Sequence, residues 1–123
     1  MIRGVDFIQV FTTDFERSVA FYGDVLGLSP GKRYVRVPGM EFDAGNVTLV
    51  VIQCDAIALE FAPNTQPIAF RVDDIEQEQR RLKGLGITFS NSLDSGVCRM
   101  ALFSDPDGNL LMLHNRYADE EAD

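Results

Sequence analysis

A pattern of elements that occurs twice constrains this chain more than any other feature. TTDFE at 12–16 is echoed by VDDIE at 72–76, VLGL at 25–28 by GLGI at 84–87, and AGNVTLV at 44–50 by DGNLLML at 107–113. The first two pairs lie about 60 residues apart and the third slightly more, the mark of one supersecondary unit used twice. Around each pair the sequence spells strand, helix, then three strands. A βαβββ unit cannot hide its sheet face alone, so two of them must combine. The expected fold is α+β: two βαβββ modules forming a cupped mixed sheet with helices outside. One domain of residues 1–123 is expected, with module one at about 5–54, module two at about 67–115 and an acidic tail at 118–123.

The individual elements follow from local chemistry. Val5 to Phe11 is β-rich, with Phe7, Gln9 and Phe11 on one face and Ile8 and Val10 on the other. Thr13 or Asp14 starts a helix, since Thr13 with Glu16 fits a capping box. Phe15, Val19, Tyr22 and Leu26 recur at helical spacing before Gly27 ends it. Strands are expected within 28–37 and over 40–44 and 47–52, with 54–66 as an irregular connection. The second half then reads as a strand at 68–72 and a helix capped by Asp73 with Glu76. Leu82 and Leu85 lie on that helix's buried side, and three strands follow at 87–90, 97–103 and 110–113. Asp105, Pro106, Asp107 and Gly108 make a turn, and the apolar run after them predicts a strand buried on both faces.

Composition narrows the function classes. A net charge of −8 opposes non-specific nucleic-acid binding, which needs basic surface to displace phosphate counterions. No apolar run approaches the roughly 18 residues that span a bilayer, and the N-terminus has no signal-peptide layout, so a cytoplasmic location and no membrane partner are expected. Cys54 and Cys98 lack CxxC spacing and are expected as free thiols on strands, with metal or redox work as the lesser alternative. No GxSxG, P-loop or dinucleotide fingerprint occurs; GDVLGL at 23–28 lies at a helix end, the wrong context.

The segments FIQVFTTDFERSVAFYGDVLGL (7–28), PIAFRVDDIE (67–76) and DPDGNLLMLH (105–114) carry a resemblance to the vicinal oxygen chelate superfamily, which groups glyoxalases, bleomycin-resistance proteins and extradiol dioxygenases. The resemblance spans nearly the whole chain in the expected order. It implies four strand positions that, in metal-dependent members, offer His, Glu or Gln to one divalent ion. Here they fall on Phe7, on Val50, on Pro67 and on Met112; overlaying the internal repeat puts the second on Leu49 instead. Phe, Val, Leu and Pro have no side-chain donor, and a thioether suits soft metals. No metal and no cofactor are therefore expected. The resemblance also implies a homodimer.

What remains is a set of candidate contacts. His114 lies two residues beyond Met112, so on a regular strand the two face the same way. It is either a strand-end histidine satisfied by backbone or water, or a group that contacts a ligand or moves a proton. Gln9 stands in the same relation to Phe7. Tyr34, Arg36 and Arg99 are polar groups on strands that could line a cup, with Arg71 similarly placed and Glu60 and Asn115 at its rim. Phe7, Phe11, Met40, Val50 and Met112 would make that cup apolar, unless they are ordinary core. The first function expected is a metal-independent binder of an aromatic or amphipathic small molecule. The second is a glyoxalase-like lyase or isomerase, metal-free with His114 as acid/base. A structural or regulatory partner domain is the third, for which no motif speaks.

Overall fold

In the computed structural model, which describes residues 1–118, each half of the chain builds the same five elements. The first compact unit, Met1–Pro63, contains β1 (Phe7–Thr12), α1 (Phe15–Ala20), β2 (Ser29–Arg33), β3 (Gly39–Asp43) and β4 (Thr48–Gln53). The second begins at Asn64 and contains β5 (Ile68–Arg71), α2 (Ile75–Gly84), β6 (Asn91–Asp94), β7 (Cys98–Ser104) and β8 (Leu110–Arg116). Strand order is β1-β4-β3-β2 in one sheet and β5-β8-β7-β6 in the other. In each, the first and last strands pair in parallel and the remaining pairs are antiparallel. The sheets are mixed, and the two βαβββ modules are present. Of the expected acidic tail, all but Ala118 lies outside the described residues. No helix among the described residues is long and apolar enough to cross a membrane.

One face of each sheet is closed by its helix. In the first unit Val10, Met40, Phe42, Leu49 and Val51 fall on this face, and Leu49 and Val51 are wholly buried. Tyr22 of the helix packs its ring 6.3 Å from that of Phe42, and Phe15 N donates to Gln53 Oε1 at 3.2 Å. In the second unit Ile75 and Leu82 of α2 are buried, as are Ala101, Phe103, Leu111 and Leu113 of the strands beneath. These side chains leave water on both layers at once, which is what holds each sheet to its helix.

The first helix starts at the second of its two expected residues, and the second helix starts one residue later than expected. The caps are Asp14 and Asp74, not Thr13 and Asp73, and they accept from Arg17 N at 3.2 Å and Gln77 N at 3.1 Å. A carboxylate there satisfies an orphan amide of the first turn. The first helix continues into a π turn, Phe21–Val25, and Leu85 caps the second helix from an exposed position instead of packing beneath it. The strand expected at 87–90 is a helix exit: Ile87 N reaches back to Leu82 O, and Phe89 packs on Phe103. Pairing starts only at Asn91, in an exposed edge strand whose polar sequence, NSLD, gives no strand signal. The run after the DPDG turn is likewise corrected. Leu111 and Leu113 are buried while Leu110 and Met112 are half-buried, so β8 is closed on one face and more open on the other.

Candidate functional site

The face of each sheet turned away from its helix carries most of the candidate residues. In the first unit the parallel register sets Phe7 beside Thr48, Gln9 beside Val50 and Phe11 beside Ile52, and the antiparallel register sets Glu41 on the far side of Val50. Phe7 is half exposed, at 50%, whereas Val50 retains only 2%. Tyr34 is not on a strand. It follows β2, where its amide donates to Gly39 O at 2.8 Å and its ring lies against Gly39. A Cβ on Gly39 would sit 2.5 Å from Tyr34 Cδ2, so this close approach needs glycine. The Tyr34 hydroxyl donates to Glu41 Oε2 at 2.8 Å. Burial first, then this carboxylate, push the phenol above the ordinary tyrosine value.

In the second unit the corresponding face holds Ala69 and Arg71 of β5, Met112 and His114 of β8, and Met100 and Leu102 of β7. His114 is half-buried between Arg71 on one neighbouring strand and Met100 on the other. Pro67 immediately precedes β5 and is half-buried.

The structure decides between Val50 and Leu49. The hairpin before β4 closes with Ala44 N donating to Val47 O, whereas the one before β8 closes with Asp105 N donating to Asn109 O. The second loop is one residue longer, so the equivalent of Met112 is Val50. Leu49 points to the helix, as Leu111 does. A one-residue slip in a strand exchanges its faces, which is why overlaying the sequence repeat misplaced this position.

Three candidates lie elsewhere. Arg99 alternates to the helix-covered face. It reaches Glu76 of α2 at 3.3 Å and Asp94 at 3.7 Å, and stacks 5.4 Å from the Tyr117 ring. Arg36 is exposed in the turn between β2 and β3 and lies on no strand. Met40 belongs to the helix face, paired with Val51. Of the two rim candidates, Glu60 is exposed between β4 and β5, and Asn115 Nδ2 donates to Val72 O at 2.9 Å and Asp73 O at 3.2 Å, which ties the strand end to the helix start.

Sequence reasoning missed two features. A cleft of about 510 Å³ opens at the hairpin end of the first sheet, bounded by Val5, Asp6, Glu41, Asp43 and Thr48. It is polar and lies beside, not over, Gln9 and Val50. The second feature is Asn109. Its amide and Nδ2 donate to the two oxygens of the buried Asp105 carboxylate at 2.9 and 2.8 Å, and its Oδ1 accepts from Asn64 N at 2.8 Å. The asparagine of DPDGN is thus the keystone of the turn and ties it to the start of the second unit.

The donor chemistry at the four family positions does not fit a hard or borderline divalent ion. Phe7, Val50 and Pro67 offer no side-chain donor and Met112 only a thioether. Among the described residues no group of three or more His, Cys, Asp or Glu side chains is placed to hold a metal. Cys54 and Cys98 are free thiols, the first buried and the second half-buried; Cys98 opens β7 as a strand residue, whereas Cys54 lies in a 3-10 turn just past β4 and not on a strand.

The model of the Glyoxalase/Bleomycin resistance protein/Dioxygenase superfamily matches residues 4–113. The chain belongs to that superfamily. Solved structures repeat this glyoxalase-like fold at low identity. A glyoxalase family protein from Bacillus anthracis superposes with a TM-score of 0.80 at 24% identity, covering 95% of this chain and 98% of the other. TnmS3, an antibiotic binding protein from Streptomyces sp. CB03234, gives 0.80 at 22%, over 94% and 98%. The fosfomycin resistance protein FosX from Listeria monocytogenes gives 0.77 at 21%, over 99% and 98%. No curated protein matches the sequence. Superfamily membership therefore settles fold and lineage, while the chemistry rests on the chain's own side chains.

Proposed function

We propose that this superfamily member is a metal-independent small-molecule binding protein that takes up an aromatic or amphipathic compound. The observation that carries the proposal is the placement of Phe7, Val50 and Met112: they stand on the faces turned away from the helices, where metal-dependent relatives are expected to present ligands, and none suits a divalent ion. In the first unit Phe11 and Ile52 add apolar area to this face, with Gln9 and Tyr34 as polar groups; in the second, Met100 and Leu102 add apolar area, with His114 as the polar group. That balance suits a ligand with an apolar body. The likeness to TnmS3, an antibiotic binding protein, agrees with a role that needs binding alone. A cytoplasmic location and assembly as a homodimer complete the proposal.

Two measurements test it. Elemental analysis of the purified protein is expected to find no stoichiometric divalent metal; one equivalent of zinc, nickel or manganese overturns metal independence. A thermal-shift screen of aromatic natural products, thioesters and aldehydes is expected to give stabilising compounds that are not consumed, since a ligand that binds only the folded state raises apparent stability. If every stabilising compound is turned over, binding alone is the wrong function.

A second function has one observation in its favour. His114 is the chain's sole histidine, half-buried on the more open face and flanked by Arg71. A metal-free lyase or isomerase using it as acid/base predicts that His114→Ala abolishes turnover while ligand affinity stays within a few-fold.

A further inference from the structure

The residues of the second sheet's outward face separate by chemistry along the strands. At one end, Ala69, Met112 and Leu102 form a row across β5, β8 and β7, with Leu110 beside it. One step along, the row is Arg71, His114 and Met100; the next pairs Arg116 with Cys98. No outward-facing position on these four strands carries a carboxylate: β6 contributes Asn91 and Leu93, and β7 contributes Cys98, Met100, Leu102 and Ser104. Asp94 and Arg99 belong to the other face, where they meet each other and Glu76. Among the described residues the nearest acid in sequence, Asp73, lies beyond the end of β5.

In a chain with 19 acidic against 11 basic residues, strand positions that carry arginine and histidine and no carboxylate depart from the overall charge. Adjacent strands lie about 4.8 Å apart and residues two apart on a strand about 7 Å. Arg71 and His114, paired across neighbouring strands, are thus within reach of one small anionic group. A guanidinium offers a fork of donors to carboxylate, sulfonate or phosphate, and an imidazole donates in either protonation state. Arg116 also donates from Nε to Ala118 O at 3.4 Å, so Arg71 and His114 are the principal pair.

We infer that the ligand of this face is an amphipathic anion, its charged head on Arg71 and His114 and its apolar body along Met100, Leu102 and Met112. The inference rests on the binding role proposed above and names the class of ligand. Charge complementarity selects it: a neutral aromatic would leave the arginine end unused, and a cation would be repelled there. Cys98 lies on the same face, one row from His114, while Cys54 is buried, so a bound anion covers the more accessible thiol.

The test uses the full chain and two fluorescent probes of matched aryl body, anilinonaphthalene sulfonate and uncharged N-phenylnaphthylamine. The sulfonate is expected to bind about tenfold more tightly or better, a preference that weakens with added salt. Arg71→Gln removes the preference without lowering the melting temperature, and His114→Gln reduces it independently. In the native protein the sulfonate slows alkylation of Cys98 by iodoacetamide, located by mass spectrometry; this readout needs no variant. Equal affinities for the two probes overturn the anionic head while the apolar-binding role stands. Tight sulfonate binding that neither variant weakens, or that leaves Cys98 alkylation unchanged, places the anion elsewhere and overturns the inference. Binding of neither probe overturns both this inference and the role beneath it.

Discussion

The two units share a topology and a helix-facing core, yet their outward faces have opposite chemistry. Beneath the helices the correspondence is close: Leu49 with Leu111, Val51 with Leu113, and Asp14 with Asp74 as caps. On the outward faces the first unit presents Phe7, Phe11 and Tyr34 with the carboxylate of Glu41, while the second presents Met100, Leu102 and Met112 with Arg71 and His114. The helix face must be apolar and close-packed for either unit to exist, so the repeat keeps it. The outward face is under no such demand and is where the copies differ. The hairpins differ too. The first is short and exposed, with Asp43 Oδ1 accepting from Gly45 N at 2.7 Å, whereas the second is a buried network on Asp105 and Asn109.

The largest effects are expected in the cores. Leu49→Ala and Leu111→Ala each remove a fully buried side chain and are expected to cost about 3 kcal/mol, read by urea unfolding. Met112→Ala, on the outward face, is expected to cost less than half as much; a loss equal to that of Leu111→Ala would mean the two faces are packed alike.

The hairpins come next. Asn109→Ala removes the Nδ2 donor to Asp105 and the acceptor of Asn64 N, and about 2 kcal/mol of stability should go with them. Asn46→Ala, at an exposed position of the other hairpin, should change stability by less than about 0.5 kcal/mol. Equal losses would show that the two turns do the same job.

A gain is expected in one helix only. Ser18 Oγ is buried and has no hydrogen-bond partner among the described residues, while the matching residue of the second helix, Glu78, pairs with Arg81. Ser18→Ala should therefore raise stability by about 1 kcal/mol. A loss would reveal a partner that the hydroxyl needs.

The smallest effect is in alkali. Each unit has a tyrosine donating to a carboxylate, Tyr34 to Glu41 and Tyr117 to Asp94, and both phenols are raised above the ordinary value. Above about pH 10 the unfolded chain loses these protons before the folded chain does, so the unfolded state binds fewer protons and stability falls as pH rises through the folded values. Tyr34→Phe should remove the first unit's share of that fall and leave Tyr117's intact. For Asp94 the sign is the reverse. The Tyr117 hydroxyl, then Gly96 N, then Arg99 hold its carboxyl low, so that contribution is present above the unfolded value and is lost in acid.

Much of this was legible in residue order. Local patterns identify both helices, and the strand-face alternation of Phe7, Gln9 and Phe11 holds because a strand's period is two wherever it pairs. The failures have a common cause. Polarity or size alone puts Arg99 and Met40 in a cup, whereas register tells which of two adjacent residues faces the helix. Ile87 and Phe89 make 87–90 read as a strand, yet this segment is the helix exit, with Phe89 packed on Phe103, while the polar segment Asn91–Asp94 takes the edge.

By itself the sequence determined that this chain is a twofold repeat of βαβββ units, that its superfamily is that of the glyoxalases and bleomycin-resistance proteins, and that its family ligand positions lack donors for a hard metal. The repeat follows from short-range spacing, whereas the superfamily and its ligand positions follow from the resemblance of three segments to that family, which the family model matches over residues 4–113. Only the tertiary structure decided that Val50 and not Leu49 faces outward, that Arg99 serves the helix side, and that Arg71 stands beside His114. Those depend on hairpin length and strand pairing, where one residue more or less exchanges the faces of everything that follows.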